Sequence, residues 1–450
     1  MTWQSAVSAL ALFSTMLTGC LRLGGGNAMT APAPVPNTVN AEIQAGIERH
    51  VEAQVRAGGG YFHLPFGEKE LRLKLVRVHT EYLAKLEPQC FFACVDLADV
   101  SGDVYDVDFY LAGEPATMKV TETTVHKING QPYYVWEQQT DGSWRRVSVP
   151  AASPRGLGVI TGRDEFEFVY RATLPAIAGP ARLWLPLATT DEYQTLAPPI
   201  ITAPVATKLL RDERYGNQIL YLELGPPESG KAIEVRYRVV RREKAPYAAP
   251  TPAAGEYLAP ERLVPAKENF RTIAQQVLAG KTGDLVRARA LYDHVIDRMS
   301  YMKYGTGWGQ GDAMYACDVR TGNCSDFHAY FIALARAAGI PARFAIGAAI
   351  PAERNDGGVD GYHCWAEFYA EGKWWPVDIS EGDKYTALAT YYFGHHPANR
   401  IELSRGRDLV VKPGPASGPI NLLAYPVFEV DGQPVKLKVE FGFTRPPPGT

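Results

Sequence analysis

Three residues with the chemistry of a thiol-dependent active site occur in the order Cys324, His363 and Asp378. A thiolate can attack a carbonyl carbon, an imidazole beside it can move the proton, and a carboxylate can hold that ring in one tautomer. Together these groups can transfer an acyl group through a thioester. This chemistry requires that the elements carrying the three residues meet in space.

The residues that follow Cys324 predict a helix. Phe327, Phe331 and Leu334 recur on one face at helical spacing, and Gly339 suits the left-handed position that ends a helix. Cys324 is therefore expected in the first turn. Unpaired N–H groups and the positive end of the helix dipole stabilise an anion there, which lowers the pKa of a thiol.

His363 and Asp378 are expected on a β-hairpin. The segments 361–369 and 373–378 are rich in β-forming residues, and Glu371-Gly372 between them is typical of a hairpin turn. The two residues are 378 − 363 = 15 positions apart, which suits two paired strands of about six residues with a short loop. The imidazole and the carboxylate can then be neighbours across the ladder.

The motifs around these residues resemble those of the transglutaminase-like superfamily. The matching motifs are Gly322-Asn323-Cys324, the run AAGIPAR at 337–343, Tyr362-His363-Cys364-Trp365 and Trp375-Pro376-Val377-Asp378. The resemblance covers about residues 256–394 and implies a papain-like core, with the nucleophile helix first and the His and Asp on following strands. It implies Cys324 as nucleophile, His363 as general base and acid, and Asp378 as the residue that orients the ring.

The resemblance also bears on the oxyanion and on the preceding domain. Some members of the superfamily stabilise the oxyanion with an upstream Trp, and the nearest one here is Trp308, 324 − 308 = 16 residues before the Cys. The backbone N–H of Cys324 is the alternative donor. The run RLWLPL at 182–187 looks like part of the β-domain that precedes the core in many bacterial members.

The length of 450 residues corresponds to about three domains. Hydrophobic alternation and turn signals predict β-rich N-terminal domains, and the resemblance implies that a papain-like transglutaminase core follows them, so we expect an α+β, multidomain chain. The expected ranges are a signal peptide with lipobox (1–20), a tether and short helix (21–60), an N-terminal β domain (61–148), a β-sandwich (159–245), the catalytic core (256–396) and a C-terminal β extension packed on the core (397–450).

The first twenty residues predict export. An apolar run of 12 residues, 6–17, is typical of a signal-peptide core, and Leu17-Thr18-Gly19-Cys20 resembles the bacterial lipobox. This resemblance implies lipidation of Cys20, a location in the cell envelope facing the periplasm, and membrane contact only through that anchor. Met1–Ser5 contains no Lys or Arg, so an ordinary secretory signal cleaved elsewhere is the alternative.

The cysteine count predicts disulfides, because that compartment is oxidising. Six cysteines less Cys20 leave five, an odd number, so one thiol should stay free. The economical pairing joins Cys90 to Cys94 and Cys317 to Cys364, although spacing alone does not determine connectivity.

Two alternatives concern Cys324 itself. It could form a disulfide with Cys317 or Cys364, or these three cysteines and His363 could surround a structural zinc ion. The zinc site is disfavoured because His363 and Cys364 are adjacent on a strand and should point to opposite faces.

The remaining chemistry-bearing residues are assigned minor roles. His328, four residues after Cys324 on the same helix face, could compete for the role of base. The adjacent His395 and His396, followed by Pro397, are expected in a loop. No spaced run of acidic ligands such as an EF-hand loop is present, so we expect neither a metal nor a cofactor.

The predicted function is therefore Cys-dependent chemistry on a protein or peptide amide. The thioester would be resolved by an amine, giving a crosslink, or by water, giving deamidation or proteolysis. A net charge of −3 offers no polybasic surface, which makes nucleic acid an unsuitable partner. The alternative is a noncatalytic envelope scaffold or binding module that retains the transglutaminase-like fold.

Overall fold

The computed structural model describes most of the chain from residue 37 onward. The described residues are 37–66, 69–87, 90–100, 102–114, 117–129, 131–132, 134–138, 144–148, 158–253, 255–303, 306–384 and 388–447. The expected signal peptide, the lipidation site Cys20 and the tether up to residue 36 lie outside them. Within these residues, no helix combines the length and the hydropathy needed to span a membrane.

The fold is α+β and divides into two compact units. The first unit extends to Pro150 but leaves out residues 101–104 and 129–131, which belong with residues 151–450 in the second. The elements of the N-terminal region are α1 (Asn37–Ala57), β1 (Phe62–Phe66), β2 (Lys69–Glu87), β3 (Cys90–Asp99), β4 (Val104–Ala112), β5 (Lys119–Ile128), β6 (Gln131–Pro132), β7 (Tyr134–Gln138) and β8 (Trp144–Ser148).

Strands β1 to β6 form one sheet in sequence order, and β7 pairs with β8. Successive side chains of a strand point to opposite faces of the sheet. Helix α1 brings Ile43 and Ile47 into a hydrophobic core that also contains Val95 of β3 and Val107 of β4. The side chains next to these valines in sequence therefore point to the other face.

The second unit contains most of the regular structure. Its elements are β9 (Arg163–Thr173), β10 (Ala181–Leu187), β11 (Gln194–Leu196), β12 (Ile200–Thr202), β13 (Lys208–Arg211), β14 (Gln218–Leu224), β15 (Ala232–Arg242), β16 (Tyr247–Ala248), α2 (Glu268–Val277), α3 (Asp284–Arg298), β17 (Ser300–Tyr301), α4 (Ala313–Val319), β18 (Thr321–Gly322), α5 (Cys324–Ala337), β19 (Ala342–Ala349), β20 (Asp356–Val359), β21 (His363–Ala370), β22 (Lys373–Val377), α6 (Ile379–Lys384), β23 (Arg400–Arg405), β24 (Val427–Val430), β25 (Gln433–Pro434) and β26 (Lys438–Thr444).

Two of its sheets form a β-sandwich. One has the order β13-β14-β10-β24-β25, and the other has the order β11-β15-β9-β26-β20, with β12 also paired to β15. Alternate residues of β9, such as Phe166, Phe168 and Tyr170, are buried between the sheets.

The C-terminal strands do not form a separate extension on the core. Strand β24 pairs with β10, and β26 pairs with β9, so the end of the chain completes both sheets of the sandwich. Strand β23 instead pairs with β19 of the core sheet. The sandwich was expected to end at residue 245, whereas it also includes strands after that residue. Pairing between strands far apart in sequence leaves no local signal, so the sequence could not indicate this.

A third sheet, with the order β16-β22-β21-β19-β23, carries the candidate site. Strand β21 pairs with β22 in antiparallel register, Ala366 opposite Val377, so His363 begins one strand and Asp378 directly follows the other. Helix α5 is fully buried along most of its length and packs on β21 and β19. The start of α5 and the start of β21 therefore lie together.

Candidate active site

Cys324 is the first residue of α5, as the helical pattern predicted. Asn323 is the N-cap, and its side-chain oxygen accepts the N–H of Ser325 at 3.0 Å. This bond satisfies one of the orphan donors of the first turn. The Cys324 side chain is buried, with 2% of its surface exposed.

Asp326 ties the first turn of α5 to the loop that precedes it. Its carboxylate accepts the N–H groups of Asn323 at 3.0 Å, Gly309 at 2.7 Å and Gly311 at 3.0 Å. The bond to Asn323 completes a capping box. Asp326 thus holds the backbone on both sides of Cys324 in place.

His363 and Asp378 form a buried ion pair. His363 Nε2 lies 2.6 Å from Asp378 Oδ2, and both side chains are at least nine-tenths buried. Asp378 Oδ1 accepts the hydroxyl of Ser380 at 3.1 Å and the N–H of Glu381 at 3.3 Å. Because Nε2 is engaged by the carboxylate, Nδ1 is the nitrogen available to Cys324.

The electrostatics of the three residues favour a charged pair. Hydrogen bonds from the thiol of Cys364 and from His363 lower the pKa of Cys324 well below its usual range, although burial acts in the opposite direction. Burial alone would lower the pKa of His363, but the Asp378 carboxylate and the Cys324 sulfur raise it to about 10. The pKa of Asp378 is lowered by His363, against its own burial. A thiolate beside an imidazolium is the favoured state.

The expected disulfide between Cys317 and Cys364 is wrong, because both residues are free cysteines. Cys364 lies 3.9 Å from His328 Nδ1 and hydrogen-bonds to Cys324, so its thiol faces the start of α5. Cys317 lies on α4, where its sulfur contacts Tyr330. This separation also counts against a zinc site built from Cys317 and the residues around Cys324.

The expected disulfide between Cys90 and Cys94 is also wrong, since Cys94 is free. Both residues belong to the same strand, β3. Four residues of extended chain separate their Cα atoms by about 13 Å, whereas a disulfide needs no more than about 7 Å.

His328 is not available as a base, because both of its ring nitrogens form hydrogen bonds with the backbone. Its Nδ1–H donates to the Cys324 carbonyl at 2.6 Å, and its Nε2 accepts the N–H of Ile379 at 3.0 Å. These two bonds hold the ring in one neutral tautomer, and burial lowers its pKa. His328 therefore ties α5 to the start of α6, next to Asp378.

Two further residues of the site were missed in the sequence. His396, expected in a loop, is fully buried with Nε2 3.8 Å from Asp378 Oδ2, and its ring lies 4.0 Å from that of Trp365. Arg400 Nη2 lies 3.9 Å from the same carboxylate oxygen. Neither residue belongs to a recognisable motif, because each reaches Asp378 from a distant part of the chain.

Trp308 is half-buried in the turn just before Gly309. Gly309 is bonded to Asp326, so the turn lies beside the first turn of α5. A role for Trp308 in oxyanion binding stays a prediction.

A cavity of about 320 Å³ is lined in part by Tyr362, the residue before His363. Its lining includes Gly309, Tyr362, Leu422 and Tyr425. The Tyr362 hydroxyl accepts the side-chain N–H of Asn323, the N-cap of α5, at 3.0 Å. Tyr362 thus connects the cavity to the start of α5, and residues 417–427 of the C-terminal segment form another part of its lining.

Comparison with known proteins agrees with this geometry. The family model described as transglutaminase-like superfamily matches residues 271–379, which include α5, β21, β22 and Asp378. These residues form a transglutaminase-like domain. The domain follows the first unit and most of the sandwich strands in sequence, and it contains all three residues of the Cys324-His363-Asp378 triad.

Individual proteins that match a larger part of the chain share little sequence identity with it. An uncharacterized protein of Haemophilus influenzae is 27% identical over 319 residues, which are 60% of this chain and 86% of that protein. A proposed cysteine protease of Cytophaga hutchinsonii shares 18% identity with a TM-score of 0.45, and covers 64% of this chain and 99% of its own. A proposed protease of Parabacteroides distasonis shares 11% identity with a TM-score of 0.23, over 64% and 63% of the two chains.

Proposed function

We propose that this protein is a cysteine-dependent enzyme that forms a thioester from a protein or peptide amide. The observation that carries the proposal is the His363–Asp378 contact of 2.6 Å beside a thiol of lowered pKa at the start of α5. A noncatalytic scaffold would have no need for a buried carboxylate, imidazole and thiol in this order. Burial of these ionisable groups lowers the stability of the fold, and a catalytic role would be the reason for keeping them there.

The chemistry proceeds in two halves. Cys324 Sγ attacks the amide carbon, and the oxygen takes up the negative charge, next to the N–H groups at the start of α5. His363 gives its proton to the departing nitrogen, the C–N bond breaks, and a thioester remains on Cys324. An amine or a water molecule then attacks the thioester while His363 removes its proton, and the thiolate leaves. Asp378 keeps the imidazole oriented throughout.

The cavity beside α5 suits a polypeptide substrate. Tyr362 and Tyr425 supply aromatic faces, while Gln310 and Asn421 supply amide groups that can bond to a peptide backbone. A side chain or backbone amide bound there would lie next to the nucleophile helix, because Tyr362 is bonded to its N-cap.

We place this activity in the cell envelope, on the basis of the Leu17-Thr18-Gly19-Cys20 motif. Lipidation of Cys20 would anchor the enzyme with its catalytic unit facing the periplasm. Fractionation of cells that express the wild type or Cys20→Ala tests this assignment. The wild type should be recovered with membranes and released by detergent, whereas equal recovery of both proteins in the soluble fraction would contradict it.

Ammonia release from glutaminyl peptides, measured with and without a primary amine, tests the reaction. Wild-type protein should release ammonia, and the product should contain the amine if the thioester is aminolysed or a glutamate if it is hydrolysed. Cleavage products identified by mass spectrometry would indicate proteolysis. Cys324→Ala should abolish every product, and Cys317→Ala, which removes a free thiol outside the site, should retain activity.

Alkylation with iodoacetamide separates the enzyme from the scaffold even when no substrate is known. Selective modification of Cys324 near neutral pH supports an activated nucleophile. Equal modification of Cys324 and Cys317, or none at Cys324, would favour the scaffold.

A further inference from the structure

The N-terminal sheet holds a second group of titratable side chains, distant in sequence from the triad. Cys94, Asp106, Asp108 and His126 each offer one ligand atom, and these atoms all lie within 4.8 Å of one another. Cys94, Asp106 and Asp108 are buried, and His126 is partly buried. We propose that these four residues bind a zinc ion.

The topology explains why the four side chains converge. Strands β3, β4 and β5 are neighbours in the sheet. Val95 and Val107 point into the core with α1, so Cys94, Asp106 and Asp108 point to the opposite face. On β5 the pairing register shifts, because Asp106 lies opposite Lys127 and Val107 lies opposite Val125. His126, between these two residues of β5, is therefore the additional residue of a β-bulge. Such a bulge redirects a side chain and is common next to functional sites.

The distances already suit a tetrahedral ion. Cys94 Sγ lies 3.2 Å from Asp108 Oδ1, and the same oxygen lies 3.6 Å from His126 Nδ1. Donor atoms bound to one zinc ion at about 2.0–2.3 Å are separated by roughly 3.5 Å. A thiolate, an imidazole and two carboxylates form a donor set that zinc accepts, whereas magnesium and calcium require oxygen ligands.

A second observation, separate from the distances, also indicates a bound cation. Asp106 is 4% exposed, and Lys127 Nζ contacts its Oδ2 at 3.0 Å. Its Oδ1 is buried without a hydrogen-bond partner among the residues that the structure describes. A buried carboxylate oxygen in that state is costly, and a bound cation would remove the cost.

The charges of the ligands can be compensated. Zinc contributes two positive charges, and Cys94, Asp106 and Asp108 contribute three negative ones once the thiol has lost its proton to solvent. The ammonium group of Lys127, 3.0 Å from Asp106, offsets the remaining charge of the ligands, and the buried carboxylate of the neighbouring Asp96 lies 3.1 Å from His79. A cysteine binds zinc as the thiolate, so binding should release a proton, as it does in other thiolate sites.

Metal binding by the full chain tests the proposal directly. Protein stripped with a chelator and dialysed is titrated with Zn²⁺ in competition with a chromophoric chelator, and bound metal is measured by mass spectrometry. We expect one tightly bound zinc ion per chain. Cys94→Ser and His126→Gln should lose it, while Cys317→Ser and Cys324→Ser should retain it.

Cobalt gives a readout that depends on the ligands rather than on activity. Co²⁺ added to the stripped Cys324→Ser protein should produce a thiolate-to-metal charge-transfer band in the near ultraviolet, and this band should disappear in Cys94→Ser,Cys324→Ser. His126→Gln, which keeps both sulfur and carboxylates, provides a second variant if removal of Cys94 prevents folding. Failure of the wild-type chain to bind Zn²⁺, or loss of the ion from Cys324→Ser with retention in Cys94→Ser, would overturn the proposal.

Discussion

The two buried cysteine clusters contain the same kinds of side chain and differ in what surrounds the sulfur. At Cys324 the neighbours are hydrogen-bond donors, namely His363, the thiol of Cys364 and the first turn of α5, and the pKa of the thiol is lowered. At Cys94 the nearest groups are the carboxylates of Asp106 and Asp108, and the pKa is raised. The first environment suits the nucleophile that we propose. The second keeps a thiol protonated until a cation displaces the proton.

The carboxylates of the two clusters also differ in their partners. Asp378 accepts bonds from His363, Ser380 and Glu381, so its negative charge is compensated and can support an imidazolium. The pKa of Asp106 is instead raised by burial and by the nearby Asp96, despite its contact with Lys127. A compensated carboxylate serves catalysis, and an under-compensated one suits metal binding.

The largest expected effect comes from removing the charge of Asp378. Asp378→Asn should lower kcat/KM by about 10³-fold, because His363 loses both its orienting acceptor and the charge that raises its pKa. The matched change in the other cluster, Asp108→Asn, should leave kcat/KM unchanged and remove zinc. Steady-state kinetics and metal analysis of both variants measure this difference. Loss of activity in folded Asp108→Asn protein would contradict the assignment of separate roles to the two carboxylates.

The reactivity of the two thiols should differ by about 10²-fold or more in metal-free protein. Thiolate is the reactive form. Because its pKa is lowered, Cys324 should be ionised at a pH at which an ordinary cysteine is protonated, and it should be alkylated even at about pH 6. A raised pKa keeps Cys94 protonated at neutral pH and above. Time-resolved mass spectrometry of iodoacetamide adducts measures both rates, with denatured protein as the reference in which the two should converge. Similar rates in the native protein would remove the distinction between the clusters.

A smaller effect is expected at Cys364. Cys364→Ala removes the strongest donor to the Cys324 sulfur, so the pKa of Cys324 should rise and its alkylation at about pH 6 should slow by roughly 10-fold. Cys364→Ser retains a donor of similar size and should stay near the wild-type rate. An unchanged rate in Cys364→Ala would show that His363 and the helix alone activate the thiol.

The smallest effect should follow chelation. Removal of zinc should lower the melting temperature, because an ion that binds only the folded chain stabilises it. It should change kcat/KM by less than about two-fold, since the triad shares no residue with the N-terminal cluster and the two belong to different compact units. Calorimetry and kinetics before and after treatment with a chelator provide the measurement. A loss of activity that Zn²⁺ restores would contradict the separation of the two sites.

The catalytic elements could be predicted because their signals are local. The 3.6-residue period of α5, the glycine that ends it, and the β-forming segments around His363 and Asp378 all lie within about sixty residues. Each can be assigned without knowledge of the rest of the chain. The contacts of His396 and Arg400 with Asp378 and the pairing of the C-terminal strands were missed for the opposite reason, since these residues join the site or the sandwich through contacts distant in sequence.

The disulfides illustrate the same limit. Counting cysteines suggested two bridges, but connectivity depends on where side chains point and how far apart their Cα atoms lie. Cys364 points toward Cys324, and Cys94 shares a strand with Cys90, so neither expected bridge forms.

The sequence by itself determined the residue types of the triad, their order, and the helix and hairpin that carry them, because short-range periodicity and turn chemistry encode those features. Only the tertiary structure decided that Cys364 donates to the Cys324 sulfur, which carboxylates are compensated, and that Cys94 meets Asp106, Asp108 and His126. The pKa of a group depends on burial and on charges within a few ångströms, and those neighbours are brought together by packing rather than by proximity along the chain.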